Sequence, residues 1–197
     1  MPAFFDEHEL AALSAAVDRL VPPDDEGHPG ASRAGVVDYI DTLLGAFTFD
    51  PPRIFAGGPY SGRWGGAASF EHWLPLGPME ELAWRTRIEG SQGRPEREFN
   101  GPVVGLQQRY RDGLLGLGDE FASLDEDEQD RRLALDPSFK RLLYEHACEG
   151  VYGDPVYGGN RGFAGWDAIG WIGDIQPRGY TDDEVSQREK TEIPRAR

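Results

Sequence analysis

The groups that could do chemistry in this chain are four histidines, one cysteine and a large excess of carboxylates. His146 and Glu149 lie three residues apart, which on a helix puts imidazole and carboxylate on one face, and Asp154 follows. Those are donors a zinc ion accepts, but the helix supplies no third ligand. A stand-alone metal-dependent enzyme around His146, Glu149 and Asp154 is therefore the alternative, and a core histidine bonded to backbone is the plainer reading. His8 falls on the polar side of a helix, His28 in a turn and His72 beside Trp73 in a long loop, so no catalytic histidine stands out. None of the serines sits in a G-x-S-x-G elbow. The run Gly158-Gly159-Asn160-Arg161-Gly162 is not G-x-G-x-x-G and lacks a strand–turn–helix setting, so it does not read as a nucleotide cradle. Cys148 has Glu145 and Glu149 near it, which disfavours the thiolate. A single cysteine also excludes an internal disulfide and any zinc or iron–sulfur site built from this chain's thiolates alone.

The charge balance narrows the classes further. With 35 acidic and 20 basic residues the formal charge is −15, and such a surface repels phosphate backbones and anionic lipid. Nucleic acid is excluded as the main partner. No apolar run approaches the roughly 18 residues of a membrane span, so no direct membrane insertion is expected. The start, MPAFFDEHEL, has no basic or apolar leader character, which gives a cytoplasmic expectation, or a periplasmic one if a partner carries the export signal.

The elements that must position any site are helices. Asp6 with Glu9 forms a capping-box pattern, Phe5 and Leu10 suit a hydrophobic staple, and Leu10, Leu13, Val17 and Leu20 make one stripe ended by Pro22-Pro23. Ser32 is placed to cap a second helix burying Val36, Ile40, Leu43 and Leu44. Pro78 opens a third, with Met79, Leu82 and Ala83 inward, and Pro102 a fourth, with Val103, Leu106, Tyr110, Leu114 and Leu117. Gly105 and Gly113 inside that pattern point to close packing. Asp125 with Glu128 caps a short acidic helix, and Asp136-Pro137 starts the last long one. There Phe139, Leu142, Leu143 and His146 share a face, with Tyr144, Cys148 and Val151 as a second stripe. Strand alternation is absent. The expected fold is mainly α: an irregular helical domain of about five to six helices with long ordered Gly/Pro/aromatic loops.

Two segments exceed a plain bundle. Residues 50–77 and 150–173 combine glycine and proline with large aromatic rings, and loops of that length are uncommon unless functional or packed against something. We assign residues 1–175 to a single domain and 176–197 to a polar tail, mobile or wrapped round a partner.

The second loop carries a resemblance. Glu149-Gly150-Val151-Tyr152-Gly153-Asp154-Pro155-Val156-Tyr157-Gly158-Gly159-Asn160-Arg161, then Gly165-Trp166 and Ile169-Gly170, resembles the signature of the gluconate 2-dehydrogenase subunit 3 family. Phe4-Phe5, Val21-Pro22, Ala34 to Ile40, Gly57 to Arg63, Leu74-Pro75-Leu76 and Glu81 to Arg85 extend it over nearly the whole chain to about Gly173. The resemblance implies a non-catalytic small (gamma) subunit that binds, folds and stabilises a large FAD-dependent dehydrogenase of the glucose–methanol–choline type. Through that partner, electrons from sugar oxidation would reach an electron-transfer protein. It implies no catalytic, metal or cofactor residue here, FAD belonging to the partner. Many members carry a twin-arginine leader, a pattern from which this start departs. For the partner interface we expect Tyr60, Arg63, Trp64, Tyr152, Asp154, Tyr157, Asn160, Arg161 and Trp166, because rings and arginines on stiff loops make interface anchors. Trp166 and Trp171 read equally well as rings closing over the chain's own core. A carbohydrate-binding module stacking sugars on Trp64, Trp73 and Trp166 is the remaining alternative.

Overall fold

A computed structural model describes residues 2–25, 27–54 and 74–171. Among these residues it contains seven α-helices and no strand: α1 (Glu7–Leu20), α2 (Val36–Leu44), α3 (Pro78–Glu89), α4 (Leu106–Leu117), α5 (Glu126–Leu135), α6 (Pro137–Tyr152) and α7 (Ala164–Ala168). Short 3-10 turns follow α2, precede α4 and α5, and link α6 to α7. The mainly α expectation holds. The 55–73 part of the long loop, with Tyr60, Arg63, Trp64, His72 and Trp73, and the tail lie outside the described residues.

α6 is the shaft of the fold, packing against α1, α2, α4, α5 and α7. Its start is set by Asp136, whose carboxylate accepts the Ser138 and Phe139 amides at 3.0 and 2.9 Å, with Pro137 in the first turn. Its inner face is Phe139, Leu142, Leu143, His146, Ala147, Gly150 and Val151. Of the second stripe, Val151 is buried and Cys148 half-buried, whereas Tyr144 is exposed. Gly113 on α4 leaves room for the Phe139 ring, since a Cβ there would stand 2.3 Å from it.

α1 forms as expected. Asp6 accepts the Glu9 amide at 2.8 Å and Glu9 accepts the Asp6 amide at 3.0 Å, while Leu13, Ala16 and Val17 are fully buried. Three other expectations need correction. Ser32 does not cap α2, because Asp18 on α1 takes its amide at 2.8 Å and its hydroxyl at 2.6 Å. The chain then turns through Gly35 at φ +84°, and the helix starts at Val36. Met79 and Ala83 do not face inward: Met79 is 75% exposed, Ile88 is the buried residue of α3, and Trp84 packs half-buried on the core. Among the helices α3 packs chiefly on α4, and Ile88 is its one fully buried side chain. Pro102 does not open α4. The Val103 carbonyl is held by the Ser91 amide at 3.0 Å, which keeps the chain extended until Gly105, pressed against the backbone of Gly90, caps the helix.

Asp125 caps α5 by accepting the Glu128 amide at 2.9 Å, but Glu128 turns outward to Arg132. Arg19 ties α5 to α1 through Asp130 at 2.8 Å and Glu126 at 2.6 Å.

The largest unforeseen anchor is Asp41 on α2. Buried to 7% exposure, its carboxylate accepts the amides of Ala3, Phe4 and Phe5 at 2.5, 3.0 and 2.9 Å. That fixes the segment ahead of α1 and seats Phe5 edge-on against Tyr110.

Candidate functional site: the signature turn at the end of the shaft

The segment that carries the resemblance folds back over the end of α6. Asp154, restricted by Pro155, accepts the Val156 amide at 2.9 Å and starts a 3-10 turn, Pro155–Tyr157. The chain then reverses so tightly that a Cβ on Gly159 would stand 2.1 Å from the Gly150 carbonyl oxygen. One on Gly165 would stand 2.0 Å from the oxygen of Val151. Only hydrogen side chains permit these approaches.

Asn160 is the hub. It lies at φ +43°, ψ +46° and is fully buried. Its backbone amide donates to the Gly150 carbonyl at 2.6 Å, and its Nδ2 donates to the Gly153 carbonyl at 2.9 Å. Its Oδ1 accepts the Gly165 and Trp166 amides at 2.9 and 3.4 Å. One side chain therefore joins the end of α6, the turn and the start of α7. This corrects the expectation that the Asn160 side chain reaches a partner, since every polar atom it has is satisfied within the chain. Trp166 is corrected likewise. It is 4% exposed, stacks with Phe163 and donates Nε1–H to the Tyr152 carbonyl at 2.6 Å, so its faces are not offered to a sugar or a partner. Of the three tryptophans in the carbohydrate-module alternative, Trp64 and Trp73 lie outside the described residues.

The outer surface is different. Tyr157 is 42% exposed, Ile169 and Trp171 are exposed, and Tyr152 lies at the edge with its hydroxyl 3.0 Å from His28 Nε2. Arg161 donates its backbone amide to the Ala34 carbonyl, just ahead of α2, at 2.9 Å, and its guanidinium pairs with Asp38 on α2. Sequence reasoning missed Asp38, because nothing in the spacing links α2 to a turn more than a hundred residues later. Beside the turn lies a mostly apolar cavity of about 320 Å³ bounded by Tyr39, Leu43, Trp84, Glu149, Asp154 and Tyr157. Tyr39 donates its hydroxyl to Glu149 at 2.8 Å, and burial together with that carboxylate raises the phenol well above its usual value.

The metal alternative does not assemble. His146 is 2% exposed, and its Nδ1 is 2.8 Å from the Tyr110 hydroxyl, with the two rings stacked. Its partner is thus a side chain and not backbone as expected. Glu149 is engaged by Tyr39 and Asp154 by its own turn. Among the described residues no group of three His, Cys, Asp or Glu side chains could hold a metal ion. The Gly158–Gly162 run leads from one 3-10 turn into the next, Arg161–Phe163, and not from a strand into a long helix whose N-terminus could hold a pyrophosphate.

Burial keeps the His146 imidazole below its ordinary value of 6.5, so the unfolded chain takes up a proton that the folded chain refuses. Stability from this group is complete above the unfolded value and falls as pH drops below about 6.5 towards the depressed folded value. Urea unfolding at pH 7.5 and 5.5 (~two pH values bracketing the transition) should show that loss in the wild type. His146→Gln should flatten this limb, and an unaltered slope in the variant would contradict the assignment.

Among the described residues the chain is all α, with the Y-G-D-P-V-Y-G-G-N segment folded back over the end of α6 through a 3-10 turn. The sequence model described as gluconate 2-dehydrogenase subunit 3 matches residues 7–173, and the chain belongs to that family. No curated protein and no solved structure matches it. The family is named for a subunit of a dehydrogenase, a component of a multi-subunit enzyme.

Proposed function

We propose that this chain is a non-catalytic small subunit that binds, folds and stabilises the FAD-dependent catalytic subunit of a dehydrogenase acting on sugar or sugar-acid CH–OH groups. The observation that carries the reading is the division of labour in the signature turn. Its polar groups are turned inward and satisfied at Asn160, while Tyr152, Tyr157, Ile169 and Trp171 are left on a stiff outer surface. Such a surface loses little conformational freedom on docking, which is the property of an interface anchor. FAD and the hydride chemistry reside in the partner in this reading, and this chain's contribution is to hold that partner in its active fold.

Co-expression with the flavoprotein tests it. Tyr157→Ala should weaken assembly by about 2 kcal/mol, typical of truncating an aromatic anchor. Asp127→Ala, on the exposed face of α5, should change it by less than about 0.5 kcal/mol. Turnover per intact complex should stay at the wild-type level in both. A purified lone chain that carries flavin and oxidises sugar would overturn the proposal.

A further inference from the structure

A second cavity, of about 430 Å³, opens between α3, α4 and α6, sharing Glu149 with the cavity beside the signature turn. Its walls include Arg87 on α3, Arg109 on α4, Val103 and Val104 from the extended segment before α4, and Glu145 and His146 on α6.

The floor is a hydrogen-bond donor. Tyr110 is fully buried, and burial holds its phenol protonated. Among the described residues its hydroxyl has one hydrogen-bonding partner, His146 Nδ1. A buried hydroxyl proton left without an acceptor costs about 1–3 kcal/mol, so Tyr110 donates and Nδ1 accepts. In a neutral imidazole the ring proton then sits on Nε2. Nε2 has no acceptor among the described residues, and the ring lines the cavity. A side chain that is 2% exposed thus presents one unanswered N–H to this space.

The wall sets two arginines, Arg87 and Arg109, beside two glutamates, Glu145 and Glu149, in a chain of formal charge −15. Arg19, Arg85, Arg97, Arg132, Arg141 and Arg161 all pair with carboxylates. Neither Arg87 nor Arg109 has a carboxylate oxygen within 4.0 Å among the described residues, and Arg87 is held over the Trp84 ring, 5.2 Å from its centroid. The acids in the same wall are engaged elsewhere: Glu145 accepts from Arg141 at 2.8 Å, and Glu149 accepts from Tyr39 at 2.8 Å. Two guanidinium groups and an imidazole N–H around one concavity are all donors, the arrangement that recognises a planar oxyanion. Beside them Val104 is 65% exposed and Val103 partly so, an apolar rim that a small free anion would leave wet and a docking protein surface would cover.

We propose that this cavity is the socket for a carboxylate side chain, an aspartate or glutamate of the partner subunit, gripped by Arg87 and Arg109 and met at the floor by His146 Nε2–H. The inference rests on the reading of the chain as a subunit and adds a contact beyond Tyr157, which does not line this cavity.

The test uses the co-purified complex. The double variant Arg87→Gln/Arg109→Gln alters only exposed side chains and leaves the Tyr110–His146 pair in place. Subunit affinity should fall at least tenfold, and its dependence on sodium chloride should flatten, because the lost contact is an ion pair. Arg87→Lys/Arg109→Lys should recover part of both. On assembly the ¹⁵N resonance of His146 Nε2 should shift in the wild type and not in the Gln double variant. If the Gln double variant assembles with wild-type affinity and salt slope, the socket is refuted while the subunit reading stands. If it does so and sodium acetate or inorganic phosphate binds the uncomplexed wild-type chain through these arginines, the site belongs to a free anion and the docking proposal is equally refuted. Failure of the wild-type chain to assemble with its flavoprotein would remove the subunit reading itself.

Discussion

Replacing Asn160 by alanine should destabilise the chain by about 4 kcal/mol, from buried groups left unsatisfied at roughly 1–3 kcal/mol each and about 1 kcal/mol of left-handed backbone strain. The Gly165 and Trp166 amides would lose their acceptor and the Gly153 carbonyl its donor, in a place where the parent side chain is fully buried. Asparagine tolerates φ +43° because its short polar side chain bonds locally, and alanine lacks that compensation. For a domain of this size the melting temperature should fall by about 8–16 °C, at roughly 2–4 °C per kcal/mol. Asn160→Asp should be intermediate, since it keeps the acceptor oxygens and loses the Nδ2 donor. A melting temperature within a degree or two of wild type (~the scatter of a surface substitution) would mean that the turn closes without its hub.

Asp41→Ala is expected to be comparable, about 3–4 kcal/mol, because hydrogen bonds to a charged acceptor are worth about 1.5–3 kcal/mol each and part of this site reaches solvent. Its three amide partners belong to consecutive residues, Ala3, Phe4 and Phe5. The loss should therefore appear as release of one segment as well as lower stability in urea. Phe5 packs against Tyr110, and Arg111 lies over the Phe4 ring at 4.6 Å, so near-ultraviolet dichroism should weaken with the stability. Asp41→Asn, which keeps an acceptor but not the charge, should retain about half of the effect. Normal stability with unchanged aromatic signals would show that the segment is held by its rings alone.

The caps and stripes of α1, α5 and α6 were legible because their signals are local: an acid at the cap, a proline in the first turn, apolar residues at helical spacing. The starts of α2 and α4 were not, because each is decided by a residue distant in sequence. Asp18 removes Ser32 from its capping position, and Ser91 holds Val103 extended. At the candidate site the glycines, Asp154-Pro155 and the positive φ around Asn160 could be inferred from residue type, and Tyr157 does lie on the surface. The direction in which Asn160 and Trp166 face could not. A polar or aromatic side chain in a loop looks the same whether it bonds to the loop's own backbone or to another molecule. Asp41 had a weak signal, an acid one step round the helix from Leu44, but its acceptor role depends on residues from another segment. Arg87 and Arg109 carried none, since arginines on polar helix faces are ordinary until the three helices are brought together.

The hydrogen bonds radiating from Asn160 also bear on how this region meets a protease. Residues 150, 153, 165 and 166 are tied to one side chain and its own amide, so loss of Asn160 would release all four together. Limited proteolysis between α6 and α7 is therefore expected to rise sharply in Asn160→Ala, and an unchanged cleavage rate would count against the hub. The side chain that shapes the docking surface is in this way also the one that shields its backbone from digestion.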